Sequence, residues 1–332
     1  MNRLSHIILW LGAALLASCS ADLEPDAQPS ELQAIQLTAK SMSAMEQTRA
    51  ASSDNLQNTA FAGGKDVAVY IEDHSGAATY ATTPYRFCTS NAVGGQNLLI
   101  YFSDDTHAST LYYPVTASAS IDIYGFYPYS RFSAIDNRST SDLDVSVNAN
   151  QSIASYYRNS DIMMSTPITN QARTSSAVGL TFRHLMAKLV IRLKQGVHSG
   201  TTSIVTDSYL ANSTLTIGSV KTNATLNMTT GAITTGSNSA TVTVATSADL
   251  AFYYDNSGTA IGTTEYAIVL PPQALTGKTI TINPFANGTI TGTLPELTLT
   301  AGSSTILTLT VNDSGIEATR TNYSSGGSTI WN

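Results

Sequence analysis

Threonine-rich segments that alternate apolar and polar residues recur along this chain, and they restrict it to β-structure. The clearest is Thr305-Ile306-Leu307-Thr308-Leu309-Thr310-Val311, in which Leu307, Leu309 and Val311 share one face. Side chains on a strand point alternately to opposite faces, so such a run buries one face of a sheet and wets the other. Leu215–Ile217, Ala224–Met228, Ala240–Ala245, Leu250–Tyr254, Tyr266–Leu270, Thr279–Ile282 and Thr289–Thr293 are read as strands too, with glycines between them. Regular short strands with turn signals predict a sandwich. Charged residues make up 12% of the chain, against about 25% usually, and this shortage of Glu and Lys also works against long helices. The expected fold class is all-β.

The first half is richer in aromatics. Val67–Ile71, Tyr80–Phe87, Asn97–Phe102, Leu111–Val115, Ile121–Tyr129 and Leu143–Val147 are its strand candidates, and Gln151–Met164 is expected to be a loop with a helical turn. Val178–Leu193 is the most apolar stretch beyond the N-terminus and reads as one long strand, with a domain boundary in the glycine- and polar-rich stretch just after it. At 332 residues two domains of ordinary size are expected. The expected division is residues 1–18, 19–49, 50–195 and 196–332.

The N-terminal region has its own logic. Asn2-Arg3 followed by Ile7–Leu16 has the layout of a secretion signal, too short in its apolar core to span a bilayer stably. It closes in Leu16-Ala17-Ser18-Cys19, a lipobox, so 1–18 is expected to be removed and Cys19 acylated. A proline-punctuated tether leads to Ala34–Lys40, where Ile35, Leu37 and Ala39 alternate with Gln36, Thr38 and Lys40: a strand with one buried face. Small polar residues follow, including Thr48-Arg49-Ala50, and an exposed loop of this kind is open to proteolysis. With Cys19 acylated, Cys88 has no disulfide partner. The net charge of −7 argues against nucleic acid, whose phosphates need a basic stripe.

No catalytic, cofactor-binding or metal-binding set is expected. His184 reads as a core or interface histidine, and His74, His107 and His198 lack metal-ligand spacing. Gly277-Lys278-Thr279 lacks the earlier glycine and the βα unit of a phosphate loop, and Asp136, Asp142 and Asp144 lack calcium-loop spacing. Tyr112, Tyr113, Tyr124, Phe126, Tyr127 and Tyr129 admit two readings, a sugar-stacking platform or core packing, the second being commoner at strand spacing.

Taken in order, several segments resemble the fimbrillin-like family, the type V pilins of the Bacteroidales. They are the lipobox, Thr48-Arg49-Ala50, Phe61–Tyr70, Ile121–Tyr129, Ser160-Asp161-Ile162-Met163-Met164, Leu180–Leu189, Leu270-Pro271-Pro272-Gln273 and the C-terminal run to Trp331. Gly64-Lys65-Asp66 departs from the family, which more often has glycine directly before aspartate. The resemblance implies two tandem transthyretin-like β-sandwich domains and export as an outer-membrane lipoprotein at the cell surface. It also implies cleavage by an arginine-specific protease between Arg49 and Ala50, and polymerisation by donor-strand exchange. On that reading Ile35, Leu37 and Ala39 are exchangeable plugs, and the partners are other fimbrial subunits, the protease, the outer membrane through the lipid, and a host or bacterial surface ligand. The donor would lie within Ile316–Trp331; if that polar tail cannot donate, the chain is a tip or accessory subunit. The alternative from another class is a monomeric surface lipoprotein that binds glycans. No cofactor and no enzymatic activity are expected.

Overall fold

A computed structural model of the chain describes residues 32–41, 63–76, 79–90, 97–116, 118–138, 142–246, 250–286 and 288–321. The first half runs β1 (Leu37–Ser41), β2 (Asp66–Asp73), β3 (Tyr85–Thr89), β4 (Asn97–Phe102) and β5 (Ser120–Tyr127), then helix α1 (Tyr129–Phe132), β6 (Asp142–Ser146) and helix α2 (Ala154–Ser160). It continues through β7 (Met163–Ser165), β8 (Ile168–Ala172) and β9 (Val178–His184). The second half comprises β10 (Ala187–Gln195), β11 (Thr214–Lys221), β12 (Asn223–Asn227), β13 (Ile233–Thr235), β14 (Ser239–Ala245), β15 (Tyr266–Leu270) and β16 (Gln273–Ala274). It ends in β17 (Thr279–Phe285), β18 (Gly288–Thr293), β19 (Thr298–Leu299), β20 (Ser304–Asn312) and β21 (Gly315–Thr321).

Two eight-stranded sheets carry the fold. In the first the order is β2-β3-β4-β1-β9-β7-β5-β8, and β5 also pairs with β2 from Ala68↔Phe126 to Asp73↔Ile121. The sheet therefore closes on itself, from β2 through β4, β1 and β9 back to β5. Inside that ring lies one core, with Leu37, Val69, Ile71, Ile121, Ile123, Leu180 and Phe182 essentially inaccessible to solvent. Gly125 leaves room for Phe182 in this core: a Cβ there would come within 2.6 Å of Phe182 Cζ. The second sheet, β14-β11-β17-β18-β21-β20-β10-β15, wraps another core built from Leu189, Ile191, Leu193, Leu215, Ile282, Leu307 and Leu309. Alternation in β20 is complete, as its residues predict, with Leu307, Leu309 and Val311 at 0% exposure.

The expected single strand over Val178–Leu193 is instead two. Leu185-Met186 breaks it, because its backbone bonds leave the ladder: the Leu185 amide donates to the Ile162 carbonyl at 2.8 Å, and Gly302 donates to the Met186 carbonyl at 2.8 Å. β9 pairs with β1 and β7, whereas β10 pairs with β15 and β20. Sheet membership thus changes at Leu185-Met186, and β10, placed by the 195/196 division in the first domain, is hydrogen-bonded into the second sheet. Two other expected strands are irregular. Around Leu111–Val115 and Leu250–Tyr254 only isolated bridges form, Ala34↔Tyr112, Lys194↔Tyr254 and Tyr254↔Ala260.

The halves are tied together, and the described residues form one compact unit. Its second core also takes in Ala68, Tyr70, Tyr124 and Phe126 from β2 and β5 of the first sheet. Arg138 is buried between the halves. Its guanidinium lies 3.3 Å from the Tyr124 ring centroid, donates to Glu72 at 3.1 and 3.2 Å, and reaches the Met228 carbonyl at 3.4 Å. Gln151 makes a buried two-way amide pair with the Val269 backbone, 2.8 Å in each direction.

Lys188, at the start of β10, is buried among these elements, and burial lowers its ammonium pKa to about 8, the Glu265 and Asp161 charges offsetting only part of that. Its pKa in the fold lies below the free value of 10.5. The unfolded chain therefore binds the extra proton between those values, and this group's contribution to stability rises with pH across that window. Denaturation midpoints of wild type and Lys188→Met should converge, wild type gaining, as pH is raised from about 7 to about 9.5. A constant gap would contradict this assignment.

Candidate functional site

The feature that sets this fold apart is the place of its first described strand. β1 lies within the sheet, between β4 and β9. It runs antiparallel to β4, with Leu37↔Leu99, Thr38↔Leu98 and Ala39↔Asn97, and parallel to β9 from Leu37↔Val178 to Ser41↔Phe182. Its lead-in is held as well. The Ile35 amide donates to Leu111 at 2.8 Å, Tyr113 donates to Gln33 at 2.9 Å, and Val178 donates to Gln36 at 2.8 Å.

The alternation read from the sequence matches this geometry. Ile35, Leu37 and Ala39 point into the ring core and are 7%, 0% and 1% exposed, whereas Gln36 and Lys40 face solvent. Their neighbours in that core include Leu99, Tyr113, Val178, Leu180 and Phe182. Full burial of an Ile or Leu side chain contributes about 1.5–3 kcal/mol, so this short strand contributes strongly to closing the ring. Taking it away would bare that apolar floor and leave the facing edges of β4 and β9 without hydrogen-bond partners, an open template for another strand. Because β1 precedes every other described strand, a single cut in the connection between Ser41 and Asp66 separates it without severing any later connection. Arg49 and Ala50 fall in that connection; with Cys19 they lie outside the described residues.

The other sequence candidates are structural. His184 is buried, its Nδ1 2.8 Å from the equally buried Asp161 Oδ1, so the pair joins two of the segments that carry the family resemblance. Asp142 and Asp144 accept hydrogen bonds from Asn227 and Thr225 on β12, at 2.9 and 3.1 Å. Gly277 occupies a turn at φ +75° before β17. Of the aromatic set, Tyr113, Tyr124, Phe126 and Tyr127 are core and Tyr112 is exposed. A separate surface hollow of about 180 Å³, not foreseen in the sequence, is lined by Tyr85, Arg86, Tyr101, Asp104, Asp105 and Tyr129. Arg86 is already paired there with Asp66 at 2.7 Å and Asp105 at 2.6 Å. Strand spacing made the buried aromatics legible, but only tertiary contact brings Tyr85, Tyr101 and Tyr129 together.

Comparison with known proteins decides the family. Residues 48–331 match the family described as fimbrillin-like. The chain belongs to the fimbrillin-like family. It is 27% identical over 323 residues to a Bacteroides uniformis protein named as a candidate fimbrium subunit, Fim1C, covering 96% of this chain and 93% of the relative. The crystal structure of a candidate cell adhesion protein from Bacteroides uniformis aligns with TM-score 0.60 at 19% identity, over 93% of this chain and all of that one. A candidate cell adhesion protein from Bacteroides ovatus aligns with TM-score 0.63 at 15% identity, over 91% of this chain and 98% of that one. These structures share the fold. The family is one of fimbrial structural proteins, not of enzymes.

Leu37→Ala should lower the unfolding free energy by about 2–5 kcal/mol, the range for emptying a buried leucine site. Gln36→Ala and Lys40→Ala, on the outer face, should each stay within about 0.5 kcal/mol. Denaturant titration of the three variants checks the contrast, and equal effects would remove β1 from the core.

Proposed function

We propose that this fimbrillin-like chain is a fimbrial subunit whose β1 is a temporary occupant of its own sheet. Acylation of Cys19 anchors the exported chain to the outer membrane. An arginine-specific protease cuts between Arg49 and Ala50, β1 leaves with Ile35, Leu37 and Ala39, and a strand from another subunit enters between β4 and β9. The observation that carries this reading is a strand at the N-terminal end of the fold, paired on both edges, filling a core and followed by a basic residue in its connection to β2. Strand addition of this kind takes affinity from backbone hydrogen bonds and specificity from alternate side chains. Assembly of such subunits supports adhesion to host or bacterial surfaces.

The donor expected at Ile316–Trp331 meets one obstacle. Its first part is β21, paired with β20 from Ile306↔Thr321 to Asn312↔Gly315 and with β18 at Gly292↔Ile316 and Thr293↔Glu317. Ile316 is 6% exposed. Donation by that stretch requires β21 to leave its own sheet, which favours a second reading as a tip or accessory subunit that receives a strand without giving one. Glycan binding by a monomer rests on the tyrosine-lined hollow alone, where Asp66 and Asp105 already engage Arg86.

Treating the chain from Ser20 onward with limiting arginine-specific protease, followed by electrophoresis without boiling, separates these readings. The stalk reading expects one cut after Arg49 and a detergent-resistant ladder. The accessory reading expects the same cut with a monomeric product. Resistance of Arg49 to cleavage would contradict both.

A further inference from the structure

The seat of β1 is filled better on its inner side than on its outer. Leu98 and Ile100 stand on the outer face of β4, 47% and 37% exposed. A lone exposed leucine needs no explanation, but adjacent same-face apolar residues beside a strand seat do. Directly opposite Leu98 is Thr38, and on the other side of Thr38 is Gly179 of β9. The outward residues of β1 are therefore polar where both neighbouring strands offer apolar surface or open space.

Gly179 has no local reason to be glycine. Its φ lies outside the left-handed region, and a Cβ there would meet only Thr38 Oγ1, at 3.6 Å, an ordinary contact. Glycine within a strand weakens it and often marks a place where another group approaches closely. A large side chain from the adjacent strand, laid over such a glycine, restores the missing packing. Leu98 and the unforced glycine flank Thr38 from either side and face the same way, with Ile100 next to Leu98 on that face.

We propose that the strand which replaces β1 carries a large apolar residue, aromatic or branched, at the register position of Thr38, packed over Gly179 and against Leu98. This rests on the strand-exchange reading of the site. The partner is thus a strand from another subunit that runs as β1 does, antiparallel to β4 and parallel to β9. It has apolar residues inward at the positions of Ile35, Leu37 and Ala39, and one apolar residue outward. Matching β1 on the inner face and exceeding it on the outer gives exchange its direction: the resident strand is the weaker occupant, and the incoming one buries surface that β1 leaves wet.

Two measurements test this. In the intact chain, Thr38→Phe and Thr38→Leu should raise Tm, and most of the gain should vanish when Leu98→Ser is added, the coupling that a double-mutant cycle isolates from strand propensity. Unchanged or lowered Tm in both variants, or a gain indifferent to Leu98, overturns the proposal. In the second, chain treated with the arginine-specific protease is mixed with a synthetic peptide of residues 33–41, native or carrying Thr38→Phe, and bound peptide is measured after gel filtration. The substituted peptide should be retained at least about tenfold more, the factor given by about 1.4 kcal/mol. Equal retention overturns the proposal. A Tm gain with no peptide retained overturns strand exchange itself, leaving only a local packing preference at Thr38.

Discussion

A β-sheet strand buried on one face has two obligations, to hydrogen-bond along both edges and to cover the core beneath it, and in this chain β1 meets both for the first sheet. Without it β4 and β9 would face each other across a missing strand, their amides and carbonyls unpaired and Leu99, Val178, Leu180 and Phe182 uncovered. Backbone groups left unpaired cost free energy where water cannot reach them, and bare apolar surface costs it where water can; a single added strand corrects both. The ring from β2 round to β5 is closed only because that strand is present.

What remains when β1 is set aside explains why it can be the exchangeable piece. β2 and β5 are joined along their length, and their outer residues Ala68, Tyr70, Tyr124 and Phe126 are built into the second core. Arg138 spans Glu72, Tyr124 and Met228, and Gln151 fastens the segment after β6 to β15. The second sheet contains no part of β1 at all. The ties between the halves therefore do not depend on the strand that fills the seat, and a rigid frame of this kind lets one occupant replace another without remaking the fold.

Much of this was legible in the residues. Alternation in Ala34–Lys40 and in Ser304–Val311 located β1 and β20 and their buried faces, because one side of each meets a core and the other meets water. The alternation changes phase at Leu185-Met186, from Val178, Leu180 and Phe182 in β9 to Leu189, Ile191 and Leu193 in β10, but Leu185, Met186 and Ala187 are apolar in succession and hide the shift. Leu250–Tyr254 and Leu111–Val115 have strand-like residues, yet their partners are isolated bridges. The short β8, β13, β16 and β19 carry too few apolar residues to stand out. That β1 lies between β4 and β9 is a matter of long-range pairing, which no local pattern encodes. The exposed Leu98 and the glycine at 179 become informative only once that pairing brings them to either side of Thr38.

The most direct test of the central claim is hydrogen exchange at the amides of Val178 and Tyr113, which donate to Gln36 and Gln33 of the N-terminal segment. In the intact chain both should be strongly protected. After cleavage at Arg49 and release of the N-terminal peptide, they should exchange rapidly while amides of β20 and β10 keep their protection. Protection at Val178 and Tyr113 that survives release of the peptide would show that the sheet closes without β1, and would contradict the account.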